Sequence, residues 1–301
     1  MRNSVVYFKP VANQSAKEVS QIARELFEHV VKENSISIEK DIPLKAHTGQ
    51  PGNVTFIRPT YFDGVIDYLE GLGKSPYFVE TNMVTGPRSK ESTHRPIAKA
   101  HGFTRLPLVI ADGENGDEDV VVPVTNGKHI KHALIAKQLV NQKQVIVLSH
   151  FKGHIATGFG AAIKMLGIGF SSRNGKMDLH TKGYTSSQKT IDWSESEKLY
   201  WGDEFSERVA EAALAAINDK KNIYVNFALN ITKDCDCDGE VMKPIYENIG
   251  VFASTDPVAI DKACYDVLAQ KEGKKPFTGE PIFEYAEKLG LGSKTYTLKT
   301  I

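Results

Sequence analysis

Cysteine is scarce in this chain: three residues in 301, at 235, 237 and 264. That number excludes a disulfide-stapled secreted scaffold and points to a reducing compartment. Charge of one sign is also missing, because 37 basic residues balance 37 acidic ones. A neutral chain carries no electrostatic footprint for nucleic acid or for an anionic membrane surface. No window approaches eighteen consecutive apolar residues, and the opening MRNSVVYFKP has too short an apolar run for a signal peptide. Internal repeats and low-complexity tracts are absent too. The expectation is a soluble, cytoplasmic protein, long enough to bury a full core without staples.

What is present is an alternation of short β-branched runs with amphipathic stretches. Strands are expected at 5–8, 42–46, 77–80, 108–111, 120–124, 145–148, 223–228 and 250–253. Ser15 and Glu18 form a capping-box pattern ahead of Val19, Ile22, Ala23, Leu26, Phe27 and Val30, which marks a first helix. Further helices are expected around 59–72, 93–101, 128–142, 203–219 and 257–270, the last opened by Asp256 as N-cap and Pro257. This rhythm predicts an α/β fold: a mixed, mostly parallel sheet covered by helices, in two lobes, 1–144 and 145–301, with a cleft at the sheet ends. The stretch 171–201 has little periodicity and reads as a loop or lid.

The segment Ser149–His180 holds three histidines, three lysines and six glycines directly after the apolar run 145–148. In open α/β sheets, ligands bind where strands end in this way. His150 and His154 leave the strand, while Lys164 and His180 follow a glycine-rich turn in which Gly158 and Gly160 permit close backbone approach. Imidazole is a common metal ligand and proton shuttle, and lysine offers a charge clamp or a nucleophilic amine. The plain structural alternative is that the histidines cap a loop and Lys164 lies on a helix surface. Cys235 and Cys237, flanked by Asp234, Asp236 and Asp238, could hold a metal; an acidic turn with two incidental thiols is the alternative. Three cysteines cannot complete a four-thiolate iron–sulfur site, and Cys264 has the apolar spacing of a core helix. A third group comprises Lys45 and His47 at a strand end, with Arg58-Pro59 and His94-Arg95-Pro96 at helix starts suited to binding carboxylate or phosphate.

Several blocks resemble the family known as domain of unknown function 362: KAHTGQPGN from Lys45, ETNMVTGPRS from Glu80, SHFKGH with GAAIKMLGIG, GKMDLH, NITKDCDCDG and ASTDPVAIDKAC. They are spread over most of the chain. Many members insert an iron–sulfur ferredoxin segment after the block that ends here at His180; this chain has no cysteine in 181–200. A more distant resemblance is to the lactate racemase family, whose nickel pincer nucleotide is tethered to lysine. His154, Gly158, Phe159, Gly160, Lys164 and His180 follow in the same order, with Arg58-Pro59 and His94-Arg95-Pro96 upstream, although Ala161 and Ala162 replace a glycine pair.

Together these readings point to an enzyme that binds a metal ion (nickel, iron or zinc) or a metal-organic cofactor near Lys164, Gly158 and Gly160. It would carry out proton or hydride transfer on a small carboxylate. His94, His154 and Lys164 are the catalytic candidates; Lys45, His47, Arg58 and Arg95 would bind substrate; His150, His180, Cys235 and Cys237 would bind metal. The competing class is an iron–sulfur or metal-binding redox carrier working through Cys235 and Cys237. A redox partner and a homodimer are the macromolecular partners left open.

Overall fold

Short, nearly continuous β-branched runs need cover on both faces, and here they build one eight-stranded sheet. The structure is a computed structural model that describes residues 4–182, 190–217 and 219–301. The strands are β1 (Ser4–Pro10), β2 (Asp41–Lys45), β3 (Ser75–Glu80), β4 (Leu108–Ile110), β5 (Asp119–Pro123), β6 (His132–Ala136), β7 (Ile146–His150), β8 (Lys152–His154), β9 (Gly158–Gly160), β10 (Ile223–Ala228), β11 (Gly250–Ser254) and β12 (Tyr296–Thr300). The main sheet has the order β12-β1-β11-β10-β7-β2-β3-β4, and only β11 runs against its neighbours. The fold is therefore mixed α/β with a mostly parallel sheet.

The helices are α1 (Ala16–Glu33), α2 (Asp63–Gly71), α3 (Glu91–Ala100), α4 (Lys137–Val140), α5 (Ala162–Gly167), α6 (Arg173–His180), α7 (Gly202–Ile217), α8 (Pro257–Glu272) and α9 (Pro281–Leu289). One sheet face puts Ile42, Leu44, Ile146, Leu148, Val225 and Phe227 against α1 and α2. The alternate positions Val145, Val147, Tyr224, Ala228 and Phe252 pack under α5, α7 and α8. Strands buried on both faces explain why β7 and β10 read as nearly continuous apolar runs. The Ser15–Glu18 capping box starts α1, and Asp256 caps α8 by accepting from the Val258 and Ala259 N–H groups.

Two expectations need revision. The helix expected over 128–142 is a hairpin strand, β6, paired with β5, followed by the four-residue α4. His132–Ala136 alternates as a strand does, and the loop before it is pinned by the Glu211 carboxylate, which accepts from the Lys128, His129 and Ile130 N–H groups. The stretch 171–201 opens with a helix, α6, where the Ser172 hydroxyl accepts from the Gly175 N–H. Of the remainder of that expected lid, 183–189 lie outside the described residues. Finally, β7 pairs with both β2 and β10, and β1 lies between β11 and β12. The sheet therefore takes strands from both expected lobes, 1–144 and 145–301.

That strand order also places the site. From β2 the chain proceeds outward to β3 and β4, and from β7 it proceeds the other way to β10. The order reverses between β2 and β7, and such a switch point opens a crevice at the carboxyl ends of the strands.

Candidate active site at the strand ends

A cavity of about 420 Å³ occupies this crevice. Lys45 ends β2 with His47 two residues beyond; Glu80 ends β3; His150 ends β7. The small hairpin β8–β9 carries Lys152, His154 and Gly160, and α5 adds Lys164 and Met165. Helix α6 presents Lys176 and His180 one turn apart, and the loop after β10 supplies Cys235 and Cys237. Val84, Ile155, Ile168, Trp193 and Trp201 give the mouth an apolar rim. A cationic floor under apolar walls suits a small anion with a short carbon skeleton.

Two carboxylates neutralise part of that floor. Glu80 lies 2.5 Å from the Lys45 Nζ and 3.7 Å from the Arg88 guanidinium, all three side chains being buried. Burial alone would push its carboxyl up; Lys45 and the other cationic neighbours overcome this and hold it well below the usual carboxylate range. Asp236 is handled likewise, with burial opposed by His150 and by Lys152, whose Nζ is 2.9 Å away. The His150 ring gives Nδ1–H to Asp236 at 2.9 Å and Nε2–H to the Leu229 carbonyl at 2.7 Å. Both partners accept, so neither nitrogen keeps a lone pair for a metal. In this structure both ring nitrogens of His150 are engaged by the protein.

The opposite wall is less saturated. His154, Cys235 and Cys237 bring their ligand atoms within 4.8 Å of one another. The Cys235 thiol is held well below its ordinary value, first by the Cys237 thiol that donates to it, then by Lys164, Lys152 and His154 acting against burial. Cys237 moves up in turn, because its proton is committed to Cys235. Lys164 Nζ stands 3.7 Å from Cys235 Sγ. His154 Nδ1 accepts from the Ala156 and Thr157 N–H groups at 3.2 and 3.1 Å, which leaves Nε2 as the nitrogen directed elsewhere. Burial, with His154, Lys164 and Lys176 nearby, lowers His180 to about 3, so its ring is neutral. That ring stacks on Phe205 and meets Trp193 edge-on.

Lys45, His47, His150, His154, Lys164, His180, Cys235, Cys237 and Gly160 therefore line one cavity. Four expected residues do not. His94 is fully buried behind the wall, bonded through Nε2 to Thr48 Oγ1 at 2.9 Å. Arg58 lies exposed over the Phe56 ring, and Arg95 is an exposed partner of Glu91. Gly158 has a positive φ of 79°, and a Cβ there would sit 2.2 Å from the Thr278 carbonyl oxygen, so its smallness admits protein backbone. Gly160 does serve the cavity: a Cβ would press on the Lys164 Cδ at 3.2 Å. Cys264 is core, as its spacing indicated. Glu80, Lys152 and Lys176 were missed as site residues and Asp236 was named only as a flanking carboxylate, although all four stand inside the motifs quoted above.

The family described as "Domain of unknown function (DUF362)" matches residues 42–266, which include all of the residues just placed around the cavity. The chain belongs to this family. The search of curated proteins found no match to this chain. Eight solved chains match in structure. One is the lactate racemase apoprotein from Thermoanaerobacterium thermosaccharolyticum, at 14% identity and TM-score 0.47, covering 87% of this chain and 56% of that one. Another is a structural-genomics protein from Thermotoga maritima, at 8% identity and TM-score 0.52, covering 88% and 60% respectively. This DUF362 protein thus spans less than two thirds of either chain, and at 8% identity the second likeness concerns the fold alone. Among the described residues no helix is long and apolar enough to cross a membrane.

Proposed function

We propose that the cavity is the active site of an enzyme that transfers a proton on a small carboxylate, with a metal ion or metal-organic group held by His154, Cys235 and Cys237. The observation that carries this reading is the meeting of those three ligand atoms, within 4.8 Å, with Lys164 and the neutral His180 in one cavity. Two thiolates and an imidazole suit zinc, nickel or iron, and a set of three protein ligands leaves a position open to substrate. Once bound, such a group would supply Lewis-acid polarisation of a substrate oxygen.

The chain's own residues account for the rest. Lys164 has no carboxylate partner among the described residues and holds the substrate carboxylate, or anchors the cofactor, at the cavity wall. His180 is the imidazole placed in this cavity to relay the proton at the substrate carbon, an anionic substrate beside Lys164 and Lys176 offsetting the cations that depress its basicity. Trp193 and Trp201 at the mouth restrict water. The carrier reading, with Cys235 and Cys237 serving a redox partner, is less well served: Cys235 is 3% exposed, and three donors fall short of the four an iron–sulfur cluster needs.

Metal content of protein purified without oxygen tests the proposal. Wild type should carry bound metal that is lost in Cys235→Ser/Cys237→Ser and in His154→Ala, while His150→Gln retains it. Metal-free wild type after growth in nickel, iron and zinc would overturn the metal assignment.

A further inference from the structure

Lys176 is a buried amine that the scheme above leaves without a task. It sits on α6, four residues before His180, is 3% exposed, and lines the cavity. Its Nζ donates to Thr81 Oγ1 at 2.6 Å and to the Asn82 carbonyl at 2.5 Å. The Thr81 hydroxyl spends its own proton on the Gly169 carbonyl at 3.0 Å, so its oxygen can only accept from the lysine. No carboxylate lies within ion-pair distance of Nζ among the described residues, in contrast with Lys45 on Glu80 and Lys152 on Asp236. A tetrahedral nitrogen has three positions beyond Cε. Two are fixed by neutral acceptors, which an uncharged amine satisfies with its two N–H bonds. The third holds the lone pair and is free to face the cavity.

We infer that Lys176 is a nucleophilic amine that forms an imine with the carbonyl carbon of a small 2-oxo acid held in this cavity. The inference rests on the active-site reading above, with Lys164 binding the acid's carboxylate. In the first step the Nζ lone pair forms a C–N bond to C2, and the carbonyl π pair moves to oxygen, which takes one of the two amine protons. A proton from solvent lets that hydroxyl leave as water while the nitrogen lone pair closes the C=N bond, giving the iminium, which keeps the second N–H proton. An iminium at C2 draws electrons from its neighbours and acidifies the adjacent C–H, which is the proton transfer His180 is placed to serve.

The surroundings support an amine that gives up its proton far more readily than an ordinary lysine and is uncharged above about pH 8. Burial, then Lys45 and Arg88, lower Lys176 to about 8 against the pull of Asp112 and Glu80, and the two facing histidines, His94 and His180, are neutral. A desolvated lysine beside other cations is a recognised way to activate this nucleophile.

The test uses the full chain, pyruvate as the probe and cyanoborohydride, which delivers hydride to the imine and makes the bond permanent. Peptide mapping should find the reduced adduct at Lys176, with yield rising as pH passes through about 8, while Lys176→Met and Lys176→Arg lose it. Melting curves establish that at least one variant folds. Saturable pyruvate binding with no adduct at Lys176, or label spread over exposed lysines at the same rate, overturns the inference and leaves the cavity reading standing. An adduct at Lys164 instead reassigns the nucleophile and equally overturns it. Neither binding nor adduct in wild type sinks both.

Discussion

The two walls of the cavity are built on different principles. The wall from β2 and β3 is a closed network in which Lys45 and Arg88 share Glu80, His47 lies against Arg88, and His94 lies behind on Thr48. The wall from β8–β9, α5, α6 and the Cys235–Cys237 loop holds Lys164, Lys176 and His180, none of which has a carboxylate partner among the described residues. Buried charge is tolerated when it is paired and hydrogen-bonded, so the first wall is scaffold that fixes strand ends and field. Groups kept under-satisfied in a cavity mark where a ligand completes the shell. The difference separates residues whose loss should unfold the protein from residues whose loss should only disable it.

Breaking the closed wall should have the largest effect. Glu80→Ala leaves two buried cations uncompensated, and a loss of about 3–5 kcal/mol in urea unfolding is expected; a change below about 1 kcal/mol would show that this wall is not scaffold.

Next is acid stability. His47 and His180 are lowered to about 3 and His94 to about 2, burial being the main cause in each. Because their unfolded pKa is near 6.5, protons bind the unfolded chain first as pH falls. Stability should therefore be full above about 6.5 and decline steadily toward pH 3, by up to about 1.4 kcal/mol per pH unit for each ring. Glu80 and Asp236, held low, add a further loss below about pH 4. A flat profile between pH 6.5 and 5 would mean that these rings are not buried and neutral.

Lys164→Ala sharpens the contrast from the other side. The side chain is only partly buried, so melting should move by no more than about 1 kcal/mol, while small-anion binding falls sharply. Smallest of all, Arg58→Ala and Arg95→Ala should each stay within about 0.5 kcal/mol, with ligand binding unchanged.

Most of the frame was legible in the sequence because its signals are local. β-branched runs gave seven of the eight strands of the main sheet, the edge strand Tyr296–Thr300 being missed, and Ser15, Glu18, Asp256 and Pro257 gave helix starts. The strand-end position of His47, His154 and the Lys164–His180 block could be read for the same reason. What was not legible depends on contacts distant in sequence. His132–Ala136 joins a hairpin whose loop is held by Glu211, some eighty residues away. His150 looks like a ligand until Asp236 and Leu229 take both nitrogens. Arg58 and Arg95 have the right chemistry at helix starts that the fold turns outward. Lys176 lies in a stretch of little periodicity, and only burial against Thr81 and Asn82 distinguishes it.

The claim that the open wall does the chemistry is tested most directly by calorimetric titration of lactate, as a small-carboxylate probe, into metal-replete wild type, Lys164→Ala and the Arg58→Ala/Arg95→Ala double variant. The account predicts saturable binding in wild type, retention in the arginine variant and loss in Lys164→Ala with an unchanged melt. Binding that survives Lys164→Ala, or disappears with the two arginines, would contradict it.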